Sequence, residues 1–105
     1  MTSLVVLPAA ADEIEETALW YAQRSPRAAA NSVDRLSVAV NEVRQNPERY
    51  KQIAESSRGT PIRQHRVARY PYGVIYLVSA GRVAVLAVPY LGRRPLYWLG
   101  RAGGL

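Results

Sequence analysis

Residues 72–88, "YGVIYLVSAGRVAVLAV", decide how the chain is read. Two runs rich in Val, Ile and Tyr, "YGVIYLV" (72–78) and "RVAVLAV" (82–88), stand either side of Ser79 to Gly81. β-branched and aromatic residues favour extended backbone, and a connection this short with glycine in it folds two such runs into an antiparallel hairpin. "VAVLAV" is apolar on both faces, which suits a central strand covered by the helices on at least one side. Tyr72 and Tyr76 share one face of their strand and are expected to pack rather than to bind.

Upstream, "IRQHRVA" (62–68) reads as another strand, and the preceding "NPERYKQIAESSRGTP" (46–61) as a polar connection. Farther back the period lengthens. In "AADEIEETALWYAQR" (10–24), Ala11, Ile14, Ala18 and Tyr21 recur at helical spacing and form an apolar stripe. Asp12, Glu13, Glu15 and Glu16 lie elsewhere around the first turns, where carboxylates suit the positive end of the helix dipole. Next, Ser25 is a cap and Pro26 a first helical residue, where a missing N–H costs nothing. Ala29, Val33, Leu36, Val40 and Val43 continue the pattern until Pro47 stops it. With Leu4 to Leu7 as a first strand the order is β-α-α-β-β-β: an α+β fold in which an N-terminal helical hairpin packs on a twisted, mainly antiparallel sheet.

The 105 residues suit one domain, residues 1–105, with one core. The chain has no cysteine and one histidine, so disulfides, thiolate metal sites and cysteine nucleophiles are excluded, no metal or cofactor is expected, and the composition suits a reducing cytoplasm. "LVVLPAAA" (4–11) lacks the basic front of a secretory leader and runs into "DEIEE"; no apolar run nears the roughly 18 residues of a membrane span. No membrane partner is expected.

Charge is polarised along the chain. Residues 1–55 carry six Lys/Arg against eight Asp/Glu, whereas residues 56–105 carry eight arginines and no acid. Such asymmetry projects a positive field that attracts polyanions or acidic protein. The candidates for that surface are Arg63, Arg66, Arg69, Arg93, Arg94 and Arg101. Arg93 and Arg94, adjacent and before a proline, have no evident packing role.

"YAQRSPRAA" (21–29), "NPERY" (46–50), "RYPYGVIYLV" (69–78), "VAVLAV" (83–88) and "GRRPLYW" (92–98), in that order and spacing, resemble the RelE/ParE family of bacterial toxins from type II toxin–antitoxin modules. The pairing of "YPYGVIY" with "RRPLYW" about twenty residues later carries most of the likeness. The resemblance implies a growth-inhibiting toxin silenced by a cognate antitoxin, acidic, partly disordered and encoded adjacently, whose tail wraps a basic toxin. It also implies one of two targets: mRNA in the ribosome, cut by a metal-independent endoribonuclease, or DNA gyrase, poisoned without nuclease chemistry. Cleavage requires proton carriers and fixed positive charge at the scissile phosphate. Arg93 and Arg94 suit the charge, and Tyr97 resembles the family's C-terminal tyrosine, provided neighbouring arginines lower its pKa. His65, the chain's one imidazole, is a weak candidate for proton transfer, since a histidine in a strand is more often structural. Gly73 stands where the ribonucleases tend to carry an arginine, and Tyr90 where many relatives place a histidine before the paired arginines. Those departures favour gyrase, with ribosome-dependent cleavage as the alternative. A non-enzymatic nucleic-acid-binding module, with bases stacked on Tyr70, Tyr72 and Tyr76, and an inactive toxin relic are further alternatives.

Overall fold

Ser79 and Arg82 pair across a two-residue turn in which Ala80 and Gly81 have φ of 51° and 74°. Positive φ at both central residues is the type I′ geometry whose twist matches that of paired strands. This hairpin is the middle of the computed structural model, which describes residues 2–105. The elements in chain order are β1 (Ser3–Val6), α1 (Pro8–Ala22), α2 (Pro26–Gln45), β2 (Lys51–Glu55), β3 (Pro61–Arg66), β4 (Gly73–Ser79), β5 (Arg82–Ala87) and a 3₁₀ turn at Leu99–Ala102. One five-stranded sheet has the order β1-β5-β4-β3-β2, with β1 parallel to β5 and every other pair antiparallel.

The α+β class and the helical hairpin on a mainly antiparallel sheet are as expected, and there is one strand more than expected. β2 lies inside the stretch read as a polar connection. As an edge strand it faces solvent along one side, so Lys51, Gln52 and Glu55 fit there, and a register shift near Ile53 interrupts its ladder with β3. Charge and bulges protect a sheet edge from further pairing, and they also mask the strand pattern.

Alternation along the central strands builds two cores. Val74, Tyr76, Val83 and Val85 face the helices and meet Ala10, Ala39 and Val43. Ile75, Leu77, Ala84 and Leu86 face the other way, with Ile62, and are covered by Trp98 and Ala102 of the C-terminal segment. "VAVLAV" is therefore apolar on both faces because the sheet is the middle of three layers, the third being residues beyond Val88. Tyr76 is fully buried and donates its hydroxyl to the Pro47 carbonyl.

The helices begin and face slightly differently from the expected pattern. α1 starts at Pro8, so its first turn contains no acid and the anticipated dipole pairing does not occur there. Its buried residues are Ala10 and Glu13, while Ala11 is exposed: the inward stripe is rotated by about one residue. In α2 the Ser25 hydroxyl accepts from the Ala28 N–H at 2.9 Å, as its position implied. Ser32, Ala39 and Val43 are buried, whereas Val33 is 44% exposed. No helix among the described residues is long and apolar enough to cross a membrane.

Candidate functional site: a buried carboxylate beneath an arginine groove

After β5 the chain does not leave the sheet at once. The Gly73 N–H donates to the Pro89 carbonyl and the Leu91 N–H to the Pro71 carbonyl, while Tyr90 bridges Tyr72. The segment thus runs alongside the entry to β4 before a turn closed by the Arg93 N–H and the Tyr90 carbonyl. Leu96, at φ 61°, reverses the backbone so that Trp98 can drop onto the second sheet face, where it is 3% exposed. A left-handed leucine costs on the order of 1 kcal/mol, and burial of the indole offsets it.

Between this segment and the sheet lies a groove of about 310 Å³ lined by Gln64, Tyr90, Leu91, Arg93, Arg94 and Trp98 among others. Arg94 is exposed and, among the described residues, makes no hydrogen bond or ion pair. The groove lining contains no carboxylate.

Beneath the segment sits Glu13. Its Oε1 accepts from the Val88 N–H at 3.0 Å and from Arg101 Nη1 at 3.0 Å. Its Oε2 accepts from the Tyr97 hydroxyl at 2.6 Å, from Arg101 Nη2 at 3.2 Å and from Arg93 Nη1 at 3.4 Å. Burial alone pushes its pKa up, but hydrogen bonds from Arg101, Tyr97 and the Val88 N–H, with the charge of Arg101, outweigh burial and hold the carboxyl below its ordinary value. One side chain of α1 thereby ties β5 and the C-terminal segment together. The absence of acid from residues 56–105 is made good in space by an acid of the first half.

Several expectations change with that geometry. Arg101 does not face a polyanion, since it is held by Glu13 and donates to the Leu86 carbonyl at 3.1 Å. Arg93 stacks over the Tyr97 ring at 3.9 Å, and its Nη1 lies 3.4 Å from Glu13 Oε2. Tyr97 does not meet the condition for a base. Burial first, and then its hydrogen bond to Glu13 and that residue's charge, push it up to about 12 against the lowering by Arg93 and Arg101.

The remaining candidates do not converge on the groove. β3 alternates, so Gln64 lines the groove while His65 points to α2, where its Nε2 lies 3.1 Å from Glu42 and its ring stacks 3.8 Å from Tyr50. Arg63 is on the helix side too, donating to the Tyr50 carbonyl at 2.9 Å. Arg66 is exposed at the end of β3, and Arg69 lies in the β3–β4 loop at φ 69°, beside Asp34 and Arg35. Of the tyrosines considered for base stacking, Tyr76 is buried, and Tyr70 and Tyr72, half-buried, meet Tyr21 edge to face. At Gly73, a Cβ would meet Leu91 Cδ2 at 3.1 Å and Gln64 Cγ at 3.4 Å, so the space beside it is already occupied.

In the sequence Glu13 is hidden among the neighbouring acids Asp12, Glu15 and Glu16, which lie on the polar face. The signal was its spacing: Ala10, Glu13, Ile14, Thr17, Ala18 and Tyr21 form a helical stripe in which one member is a carboxylate.

A family described as the ParE toxin of the type II toxin–antitoxin system, parDE, matches residues 4–93. Among solved structures, a chain of the chromosomal ParDE TA system from P. aeruginosa superposes with a TM-score of 0.69 at 19% identity, covering 87% of this chain and 97% of that one. At that identity the likeness is one of fold. No curated protein matches the chain.

Proposed function

We propose that this chain, which belongs to the ParE family of type II toxin–antitoxin toxins, arrests growth by poisoning DNA gyrase and is held silent in the cytoplasm by a cognate antitoxin. The observation that carries the choice of target is the state of Tyr97. Ribonuclease chemistry at the arginine groove needs a group there that gives and takes a proton near neutrality. Tyr97 is pushed up to about 12 with its hydroxyl committed to Glu13, Gly73 offers no side chain, and His65 lies on the opposite face of β3. The groove keeps a free guanidinium and loses the proton carriers. That combination supports binding to an oxyanion rather than cleavage beside one.

The antitoxin reading rests on charge. An acidic, partly disordered partner gains encounter rate from the basic second half of the chain and affinity from apolar contacts. Exposed apolar groups are present on both helices, with Leu19 58%, Trp20 45% and Val38 53% exposed.

The test is inhibition of purified gyrase. Supercoiling of relaxed plasmid is expected to fall as the chain is added, with cleaved complexes accumulating and the effect reversed by the antitoxin encoded beside it. In cells, DNA synthesis is expected to fail before protein synthesis after induction. Message cut inside translated frames, with gyrase untouched, would overturn the proposal in favour of ribosome-dependent cleavage.

A further inference from the structure

We infer that Glu13 sorts the adjacent arginines: Arg93 is a positioning residue of the C-terminal segment, and Arg94 alone reaches the target, through an oxyanion. The inference rests on the toxin reading but not on gyrase being the target.

Three observations separate two side chains that the sequence presents as equivalents. Arg93 is occupied, since its Nη1 lies 3.4 Å from Glu13 Oε2 and its guanidinium covers the Tyr97 ring at 3.9 Å. That stack lies on the phenol whose hydroxyl Glu13 holds at 2.6 Å, so carboxylate, ring and guanidinium form one assembly. Arg94 has no partner among the described residues and stands at a groove lined without carboxylates, whose other lining residues include Gln64 and Tyr90. A permanently charged, forked donor left uncompensated in a groove with further polar groups is suited to a carboxylate or phosphate.

The backbone supplies the third observation. Pro95 follows Arg94 directly, and Leu96 is held at φ 61°. The proline ring restricts the residue before it to extended conformations, and the left-handed leucine fixes the direction of exit. Arg94 is thus carried on a stiff support, while Glu13 holds the chain on both sides of it through Arg93 and Tyr97.

The experiment compares Arg94→Ala, Arg93→Ala and Glu13→Gln, alone and in pairs, by growth arrest on induction and by gyrase inhibition with purified chain, each with its melting midpoint. Arg94→Ala is expected to raise the half-inhibitory concentration at least tenfold with an unchanged midpoint. Arg93→Ala is expected to raise it less than threefold in the wild-type background, and to add nothing in the Glu13→Gln background, where Arg94→Ala still acts. That loss of coupling is a readout that general destabilisation by Glu13→Gln does not produce. Repeating the binding with gyrase alone and with gyrase on DNA locates the oxyanion. A deficit of Arg94→Ala without DNA assigns it to a carboxylate of the protein, and a deficit only with DNA to a phosphate.

Wild-type inhibition retained by Arg94→Ala, or equal losses for the two alanine variants at unchanged midpoints, overturns the inference and leaves the gyrase reading standing. Growth arrest that follows Arg94 while gyrase is unaffected keeps the inference and removes gyrase.

Discussion

Replacing Glu13 by Gln keeps the shape of the side chain and removes its charge, and the cost can be worked from its donors. Five donor atoms converge on two carboxylate oxygens: the Val88 N–H, the Tyr97 hydroxyl, two nitrogens of Arg101 and one of Arg93. A glutamine has one acceptor oxygen. If that oxygen keeps Tyr97, the new NH₂ faces the Val88 N–H and Arg101 Nη1, two donors against a donor. Arg93, half exposed and at 3.4 Å, is positioned by this contact but adds less to stability than Arg101 does. Removing one partner of a fully buried ion pair costs roughly 3–5 kcal/mol, but the Arg101 side chain is 24% exposed and recovers some hydration. The net loss is therefore about 2–3 kcal/mol, which in a chain of 105 residues lowers the melting midpoint by roughly 10–20 °C. Thermal unfolding followed by circular dichroism measures it. A double variant, Glu13→Gln with Arg101→Met, is expected to lose less than the sum of the two singles, because the methionine leaves no unpaired charge. A midpoint within about 2 °C of wild type for Glu13→Gln, equivalent to less than ~0.5 kcal/mol, would refute the reasoning by showing that the carboxylate's burial cancels its bonds.

The same carboxylate predicts a pH dependence. Its folded pKa lies below its unfolded value, so its contribution is complete above an unfolded value of about 4.3 and is lost as pH falls through the folded one. The gap in urea midpoint between wild type and Glu13→Gln should be constant from pH 7 to 5 and shrink as pH falls below about 4; a gap that does not shrink at all on acidification contradicts it. Trp98→Ala, at a residue 3% exposed that covers Leu77 and Leu86 on the second sheet face, is expected to cost about 3–5 kcal/mol in chemical denaturation, and a loss below about 1 kcal/mol would mean that the third layer does not hold the fold. Ala80→Asn should raise stability by roughly 0.5–1 kcal/mol, because Ala80 sits at φ 51° in a type I′ turn where Asn followed by Gly is favoured. A lower midpoint for that variant would rule out this turn geometry.

What could be read from the sequence was what is decided within a few residues. The hairpin at Ser79 to Gly81, the Ser25–Pro26 helix start and the stop before Pro47 depend on local backbone chemistry, and each is where it was expected. β2 was not legible because an edge strand needs only one apolar flank, and Ile53 and Ala54 supply it amid charged neighbours. The rotation of α1 was not legible either. Ala11 and Ala10 are chemically identical, and only contact with the sheet decides which turns inward. In the site, the groove's arginines were visible as an unexplained pair, but their inequality was not, since it comes from a residue some eighty positions away in the chain.

Linear charge polarity proved a poor guide to local charge at this site. Eight arginines without an acid in the second half suggested a continuous basic surface, yet Glu13 takes up Arg101 and Arg93, and the Tyr50 carbonyl takes up Arg63. Long-range steering is set by net charge and survives such pairing, because an internal ion pair does not alter the charge seen beyond a Debye length of about 8 Å. Recognition at contact distance is different: it depends on which guanidinium has donors to spare. Steering and recognition are thus separable here. Neutralising exposed arginines outside the groove, such as Arg58 or Arg82, should slow association and weaken its salt dependence, while Arg94→Ala should shorten the life of the complex once formed. Surface-plasmon measurements at two ionic strengths distinguish the two effects, and an Arg94→Ala defect confined to the association rate would return Arg94 to the general field.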